Sequence, residues 1–171
     1  MKIAIIGAGA AGIIAAITAK RLNKNLQIDL FDANKGIGKK ILASGNGRCN
    51  ISNNQITSKN YLGENPDFTS FALKEFDFKA FEKFCKSIGL LLDIKPSGKV
   101  YPLSNEAKSV VNLLELALKE LDINLYLETF IKDIEKIEDK FVIKTDEVEY
   151  KNYDKVLISN GLGAAPQLNA N

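Results

Sequence analysis

The sequence predicts an α/β fold in which a parallel sheet carries an antiparallel β-meander and a long helical crossover insertion. Three observations predict it. An apolar run at residues 3–6 leads into a glycine turn and a helix-forming run, an alternating run follows at residues 26–32, and a third apolar run occupies residues 155–159. Short apolar runs followed by glycine turns and helices are typical of parallel sheets.

The glycine turn has the sequence Gly-Ala-Gly-Ala-Ala-Gly and opens a predicted helix over residues 11–22. We expect Gly7 to allow the sharp turn, Gly9 to let the backbone approach a diphosphate, and Gly12 to let the helix lie close to the strand. The helix N-terminus would then face negative charge. Glycine turns also join strands to helices in proteins that bind no ligand, so the context decides.

The second predicted strand ends on Asp32, twenty positions after Gly12. An acidic residue about that far along the chain binds the ribose hydroxyls in dinucleotide-binding folds. Strand, turn, helix, strand and acid therefore occur in the order that a dinucleotide site requires.

Residues 40–53 form a predicted loop with glycines at positions 45 and 47, flanked by Ser44, Arg48 and Asn50. Such a donor-rich loop can cradle phosphate oxygens or the polar edge of a flavin. It is equally well read, from composition alone, as a polar surface turn.

The stretch 33–123 is a long crossover between the second and third parallel strands, and its length predicts a small subdomain. Within it we expect helices at 70–76 and 77–88, the second capped by Asp77, a hairpin joining 90–94 to residues 100–101, and a helix at 106–121. Phe78, Phe81, Phe84 and Cys85 recur at helical spacing and are interpreted as packing residues.

The third parallel strand is predicted at residues 124–128, and runs at 131–137, 140–145 and 147–150 predict the meander within 131–150. The last strand ends in a glycine turn at Gly161. Ligands bind open α/β sheets at the carboxyl ends of their strands, which is where this turn would lie.

The amino-acid composition excludes some kinds of catalytic and metal site. The chain of 171 residues has a net charge of +2, two cysteines and no histidine. A Ser-His triad and a His-ligated metal are thereby excluded, and we predict neither a metal site nor a disulfide. The small net charge gives no support for nucleic-acid or membrane partners, so we expect a cytoplasmic protein.

Residues 38–50 resemble the G-x-K-x-L-x-S-G-x-G-R-C-N signature of a bacterial family of NAD(P)/FAD-dependent flavoproteins that includes bile-acid reductases. Residues 98–102, 107–111 and 166–168 resemble further motifs of that family, so the resemblance covers essentially the whole chain. It implies a Rossmann-like FAD-binding domain of the glutathione-reductase type, with FAD as cofactor and NAD(P)H as electron donor. In that family the flavin passes hydride to an electron-poor carbon–carbon double bond.

The resemblance also implies roles for individual residues. Asp32 would bind the adenosine ribose, Ile131 would meet adenine through its backbone, and Gly161 would close over the cofactor. The diphosphate would be held by Gly7, Gly9, Ala10, Ala11 and Gly12, and the middle and flavin end of FAD would be lined by Lys40, Ser44, Gly45, Arg48, Cys49 and Asn50.

Two departures limit what the resemblance implies. The family usually has Ala-Thr-Gly-Gly where this chain has Ser-Asn-Gly-Leu at residues 159–162. Family members are more than twice as long, so we expect the substrate domain and the C-terminal FAD segment to be absent from residues 1–171. A small-molecule substrate is expected only where that missing part is present.

We assign no catalytic residue. Cys49 beside Arg48 could be a redox thiol, but a cysteine without a nearby partner is more often structural. Two other functions stay open: a non-catalytic nucleotide-binding module or remnant without turnover, and half of an NAD-dependent dehydrogenase. The second fits the glycine turn but neither the meander nor the Gly-Arg-Cys-Asn loop.

Overall fold

A computed structural model describes residues 1–65 and 67–161 of the chain. The chain divides into two compact units, which we call the sheet unit (Met1–Leu42 with Leu114–Asn171) and the insertion unit (Ala43–Leu113). The resemblance at residues 166–168 lies outside the described residues.

The strands of the described chain are β1 Lys2–Ile6, β2 Gln27–Phe31, β3 Ser52–Asn53, β4 Leu92–Ile94, β5 Lys99–Pro102, β6 Asn124–Tyr126, β7 Asp133–Ile137, β8 Lys140–Lys144, β9 Glu149–Tyr153 and β10 Lys155–Ile158. The helices are α1 Ala10–Leu22, α2 Lys39–Ala43, α3 Phe68–Glu75, α4 Phe78–Ser87 and α5 Ala107–Glu120, with short 3-10 turns at Ser44–Gly47 and Ser58–Asn60.

The sheet unit is built on a four-stranded parallel sheet with the order β10-β1-β2-β6. Ile6 pairs with Phe31 on one side and with Ile158 on the other, so these three strands end level with one another. This confirms the predicted α/β fold with its parallel sheet. The segments that follow β1, β2 and β10 therefore meet at one edge.

Strand β6 is shorter than predicted, because it stops at Tyr126 instead of residue 128. Glu128 adopts a left-handed backbone conformation with φ of 52°, and a residue with that φ cannot continue a β-strand. Its N–H donates to the Asn34 carbonyl at 3.0 Å, and the Thr129 N–H donates to the Asp32 carbonyl at 2.9 Å. The chain after β6 thus pairs with the loop after β2 before it enters the meander.

Strands β7, β8 and β9 form the predicted antiparallel meander. The third strand runs over Glu149–Tyr153 and not over 147–150, with a register irregularity between Phe141 and Ile143. A core of Ala4, Phe31, Ile143 and Tyr153 joins the meander to the sheet. Within it the Phe31 and Tyr126 rings stack at 4.8 Å between centroids. The opposite face of the sheet contacts α1, which buries Ile13 and Ile17.

A buried polar cluster lies under the meander. Asp29 on β2 is only 2% exposed. It accepts hydrogen bonds from the Tyr153 hydroxyl at 2.6 Å and the Asn124 side-chain amide at 2.8 Å, and Lys2 Nζ lies 3.4 Å away. Desolvation, and then the hydrogen bond to Asp29, raise the pKa of Tyr153. The cluster satisfies a carboxylate that would otherwise be costly to bury.

The insertion unit holds a small antiparallel sheet with the order β3-β5-β4. The hairpin of β4 and β5 is confirmed, and so is the cap of α4, because the Ala80 N–H donates to Asp77 Oδ1 at 2.8 Å. The prediction that residues 40–53 form a loop is wrong in detail. Those residues contain most of α2, a 3-10 turn and β3, which pairs with β5.

Within the described parts of the chain, no helix is long and apolar enough to cross a lipid bilayer.

The first testable prediction concerns the Tyr153 hydroxyl. Tyr153→Phe should lower the free energy of unfolding by about 1–3 kcal/mol, because Asp29 stays buried and loses a donor. Urea denaturation measures the loss. Tyr61→Phe, the same change on a more exposed ring, should shift the free energy by no more than about 0.5 kcal/mol. Equal effects of the two variants would contradict the role assigned to the buried hydrogen bond.

Candidate functional site

The glycine turn after β1 has a geometry that requires glycine at two positions. Gly7 has φ of +107°, and a Cβ there would lie 2.7 Å from the backbone of Ser159. A Cβ on Gly12 would overlap the Gly7 carbonyl oxygen and lie 2.5 Å from Ser159 Oγ. The first turn of α1 therefore contacts the end of β1 directly, as the sequence predicted for Gly12.

Gly9 differs from its two partners. It has an extended backbone with φ of −80°, and apart from its two chain neighbours no atom of the described chain would lie within 4 Å of a Cβ built on it. Space is therefore open in front of Gly9. The sequence interpretation of Gly9, in which the bare backbone lets a ligand approach, requires such a space.

The carbonyls of Ala8 and Gly9 accept hydrogen bonds from within the protein. The Gly38 N–H donates to the Ala8 carbonyl at 2.8 Å, and the Ile13 N–H donates to the Gly9 carbonyl at 3.0 Å. In a trans peptide the N–H points opposite to the carbonyl. The N–H groups of Gly9 and Ala10 therefore point away from the groups that bind the Ala8 and Gly9 carbonyls. Among the described residues, no side chain caps α1 and its first turn carries no acid. The helix start is thus suited to an anion.

Asp32 points at the glycine turn. Its Oδ2 accepts from the Ala8 N–H at 2.7 Å, and its Oδ1 accepts from the backbone and side-chain nitrogens of Asn34, both at 2.8 Å. A carboxylate has about four acceptor positions, and these three donors leave room for one more. Asp32 is partly buried, so it can accept one hydroxyl beside the turn.

Ile131 lies where the chain enters the meander. Its side chain packs against the core of Ala4, Phe31, Ile143 and Tyr153. The neighbouring Lys132 N–H donates to the Lys144 carbonyl at 2.8 Å. The predicted contact of the Ile131 backbone with adenine stays a prediction.

Lys40 and Gly161 are brought together in the sheet unit. Gly161 has φ of +76°, and a Cβ there would lie 3.7 Å from Lys40 Nζ. An open cavity of about 300 Å³ lies in the loop after β2 and is lined by Asn34, Lys35, Gly36, Ile37, Lys39 and Leu42. The sheet unit therefore holds Lys40 together with the residues predicted for the diphosphate, the ribose and the adenine.

The other predicted residues lie in the insertion unit, in one tight turn. Gly45, Asn46, Gly47 and Cys49 all have left-handed backbones, with φ of 57°, 54°, 79° and 59°. A Cβ on Gly45 would lie 2.7 Å from the Asn50 nitrogen. The turn thus collects Ser44, Gly45, Arg48, Cys49 and Asn50, of which Arg48 and Asn50 are exposed.

Arg48 is held against its own turn. Its Nε donates to the Gly45 carbonyl at 3.3 Å, and its guanidinium lies 5.4 Å from the centre of the Tyr101 ring. The turn therefore presents an oriented cation together with the Asn50 amide.

Cys49 has the surroundings of a structural thiol. It is 4% exposed, and its N–H donates to the Ser44 carbonyl at 3.0 Å. Burial raises the pKa of the thiol, an effect that its hydrogen bond with the Ser44 side chain opposes in part. Burial likewise raises the pKa of Cys85 to about 12. Both are free thiols, and neither environment stabilises a thiolate.

Three residues near the turn were not singled out for the site from the sequence. Asn34 binds Asp32, Gly38 binds Ala8, and Ser159 contacts the Gly7 carbonyl. Asn34 had a local signal, because Asp and Asn two residues apart often form side-chain turns. Gly38 begins the signature at residues 38–50, but no local pattern indicated its contact or that of Ser159, since their partners are distant in sequence.

Fold and turn together define a Rossmann-type α/β domain. The chain belongs to the HI0933-like protein Rossmann domain family, which matches residues 1–171.

Curated relatives are similar over nearly the whole chain. A 3-dehydro-bile acid delta(4,6)-reductase of Clostridium scindens is 36% identical over 167 residues, which are 98% of this chain and 40% of the relative. A ribosomal RNA dihydrouridine synthase of Haemophilus influenzae is 29% identical, over 95% of this chain and 42% of the relative. The chain thus spans about two fifths of the length of these relatives.

Among solved structures, a ferredoxin-flavin thioredoxin reductase from Clostridium acetobutylicum superposes with a TM-score of 0.53 at 20% identity. The match covers 94% of this chain and 37% of that structure. At that identity the likeness concerns the fold alone.

The second testable prediction compares the tightly packed Gly12 with Gly9, which has open space in front of it. Gly12→Ala should lower the free energy of unfolding by about 1–3 kcal/mol, because the methyl group overlaps the Gly7 carbonyl. Gly9→Ala should change it by no more than about 0.5 kcal/mol, since its methyl group enters open space. Thermal or urea unfolding of both variants measures this. A Gly9→Ala variant as unstable as Gly12→Ala would show that the space in front of the turn is not open.

The third prediction concerns the thiols. At pH 8 a disulfide reagent such as DTNB should modify both cysteines of the folded protein at least about tenfold more slowly than those of the urea-unfolded protein. Raised pKa values keep both thiols protonated at that pH, and burial blocks access. The variants Cys49→Ser and Cys85→Ser assign the two rates. Fast modification of Cys49 in the folded protein would favour a redox role.

Proposed function

We propose that this chain is the FAD-binding portion of an NAD(P)H-dependent flavoprotein oxidoreductase that reduces activated carbon–carbon double bonds. One observation carries the proposal most directly. The glycine turn has open space in front of Gly9, and Asp32 at the end of the neighbouring strand accepts from the Ala8 N–H of the same turn.

The residues present fit an adenine dinucleotide. The N–H groups at the start of α1 would hold the diphosphate, and open space in front of Gly9 allows the oxygens to approach the backbone. The remaining acceptor position of Asp32 would take a ribose hydroxyl. Lys40 beside Gly161 would add a positive charge at the same edge.

The insertion unit would contribute the turn around Arg48 and Asn50 to the flavin end. When bound, the isoalloxazine supplies the hydride chemistry, while the protein supplies binding and orientation. In this proposal Cys49 holds the turn together and takes no part in redox chemistry, since its burial raises its pKa.

The names of the curated relatives support reduction of an activated double bond. One is a delta(4,6)-reductase of a 3-dehydro-bile acid, and the other forms dihydrouridine in ribosomal RNA. Both names describe the formation of a reduced product. For this chain we propose a small-molecule substrate with an activated double bond, since its net charge of +2 gives no basis for RNA binding.

The competing proposal is a nucleotide-binding module without turnover. It requires only the cofactor contacts that the glycine turn and Asp32 would supply. Both proposals require cofactor binding, and both place the protein in the cytoplasm, where free thiols persist. Oxidation of NADH or NADPH by the FAD-loaded protein, followed at 340 nm with an enone as acceptor, distinguishes them.

The fourth prediction tests cofactor binding itself. FAD should bind the purified protein in a fluorescence or calorimetric titration, and NAD should bind less tightly. Asp32→Asn should weaken FAD binding about tenfold or more, because the hydroxyl loses a charged acceptor.

The matched control is Asp93→Asn, which removes a half-buried carboxylate charge paired with Lys95 in the insertion unit. It should leave FAD affinity within about twofold of the wild-type value. Absence of FAD binding, or equal losses in the two variants, would contradict the proposal.

A further inference from the structure

Ser159 follows β10 and is tied to the end of β1 through both its backbone and its side chain. Its N–H donates to the Ile6 carbonyl at 2.8 Å. Its hydroxyl lies 3.0 Å from the carbonyl oxygens of both Ile6 and Gly7, so its single proton is shared between them.

The Gly7–Ala8 peptide is held at both of its polar ends. Ser159 Oγ contacts the Gly7 oxygen, and the Ala8 N–H donates to Asp32 Oδ2 at 2.7 Å. A peptide is planar, so contacts at its oxygen and its nitrogen together fix its rotation. Without them the peptide after Gly7 would be free to rotate, because glycine places few limits on its dihedral angles.

Rotation of this peptide sets the direction of the amides that follow it. The next carbonyl, that of Ala8, accepts from the Gly38 N–H at 2.8 Å, so the Gly9 N–H of the same peptide points away from Gly38. Ser159, Asp32 and Gly38 therefore act on two successive peptides of one turn. Of these three residues, Ser159 is the most distant in sequence from the turn.

We propose that Ser159 is a positioning residue for the diphosphate site: its hydroxyl fixes the Gly7–Ala8 peptide so that the amides at the start of α1 face an incoming diphosphate. The inference rests on the proposed FAD binding. Ser159 acts through the turn and makes no contact with the diphosphate itself in this proposal.

The fifth prediction uses three variants. Ser159→Ala removes the hydroxyl, Ser159→Thr keeps it, and Ser87→Ala removes a hydroxyl that donates to the Phe84 carbonyl in the insertion unit. Dissociation constants for FAD and for ADP, which also carries a diphosphate, are measured by titration. Amide hydrogen exchange of the cofactor-free proteins is measured in parallel.

Ser159→Ala should weaken both FAD and ADP about three- to tenfold, the effect of one lost hydrogen bond. Exchange should accelerate in the peptide that covers residues 7–12 and stay unchanged in β2. Ser159→Thr should restore both affinities to within about twofold, and Ser87→Ala should leave them unchanged.

The outcomes separate the inference from the function on which it rests. Wild-type protein that binds neither FAD nor ADP overturns the proposed function and, with it, the diphosphate site. Wild-type binding together with unchanged affinity and exchange in Ser159→Ala overturns the role of Ser159 alone. Faster exchange throughout β1 and β2 in that variant also overturns it, because the hydroxyl would then stabilise the sheet generally.

Discussion

The close approach of α1 to the end of β1 is the contact on which the sheet unit depends. Gly12 lies against the Gly7 carbonyl, with no room for a side chain between them. The helix can therefore start directly at the strand end, and its first amide groups lie at the edge where β1, β2 and β10 terminate level with one another. Any residue larger than glycine would separate helix and strand and move those amides away from Asp32.

A second set of contacts holds the meander against the sheet. Phe31 stacks with Tyr126 on one face, and Tyr150 contacts the edge of Phe31 at 5.0 Å. Beneath these rings, Asp29 accepts from Tyr153. The meander is thus held both by aromatic packing around Phe31 and by a buried carboxylate that needs the Tyr153 hydroxyl as a donor. Because the meander entry also bonds to Asp32, this packing supports the ribose end of the candidate site.

Much of this architecture could be predicted from the sequence, because its signals are local. The glycine turn, the alternating strand that ends at Asp32, and the Asp77 cap each depend on a few neighbouring residues. The boundaries of β6 and β9 could not be predicted. Glu128 has a left-handed backbone and bonds to Asn34, which is distant in sequence, and Asn152 has a left-handed backbone where the pairing of β8 and β9 is irregular. In the candidate site, Asp32 was recognisable from its spacing. Ser159 and the Tyr153–Asp29 contact were not, because each joins residues more than 120 positions apart.

The order of strands in the sheet has a consequence for how the chain folds. Of the strands in the described chain, β1 is synthesised first, yet one of its two neighbours, β10, is synthesised last. Contacts between such distant segments carry a large loop-closure entropy and form late. Until residues 155–159 have been synthesised, one side of β1 lacks its native partner and exposes an apolar edge. The sheet of the nascent protein is thus completed only when β10 pairs with β1, and we expect chaperones to assist at this step.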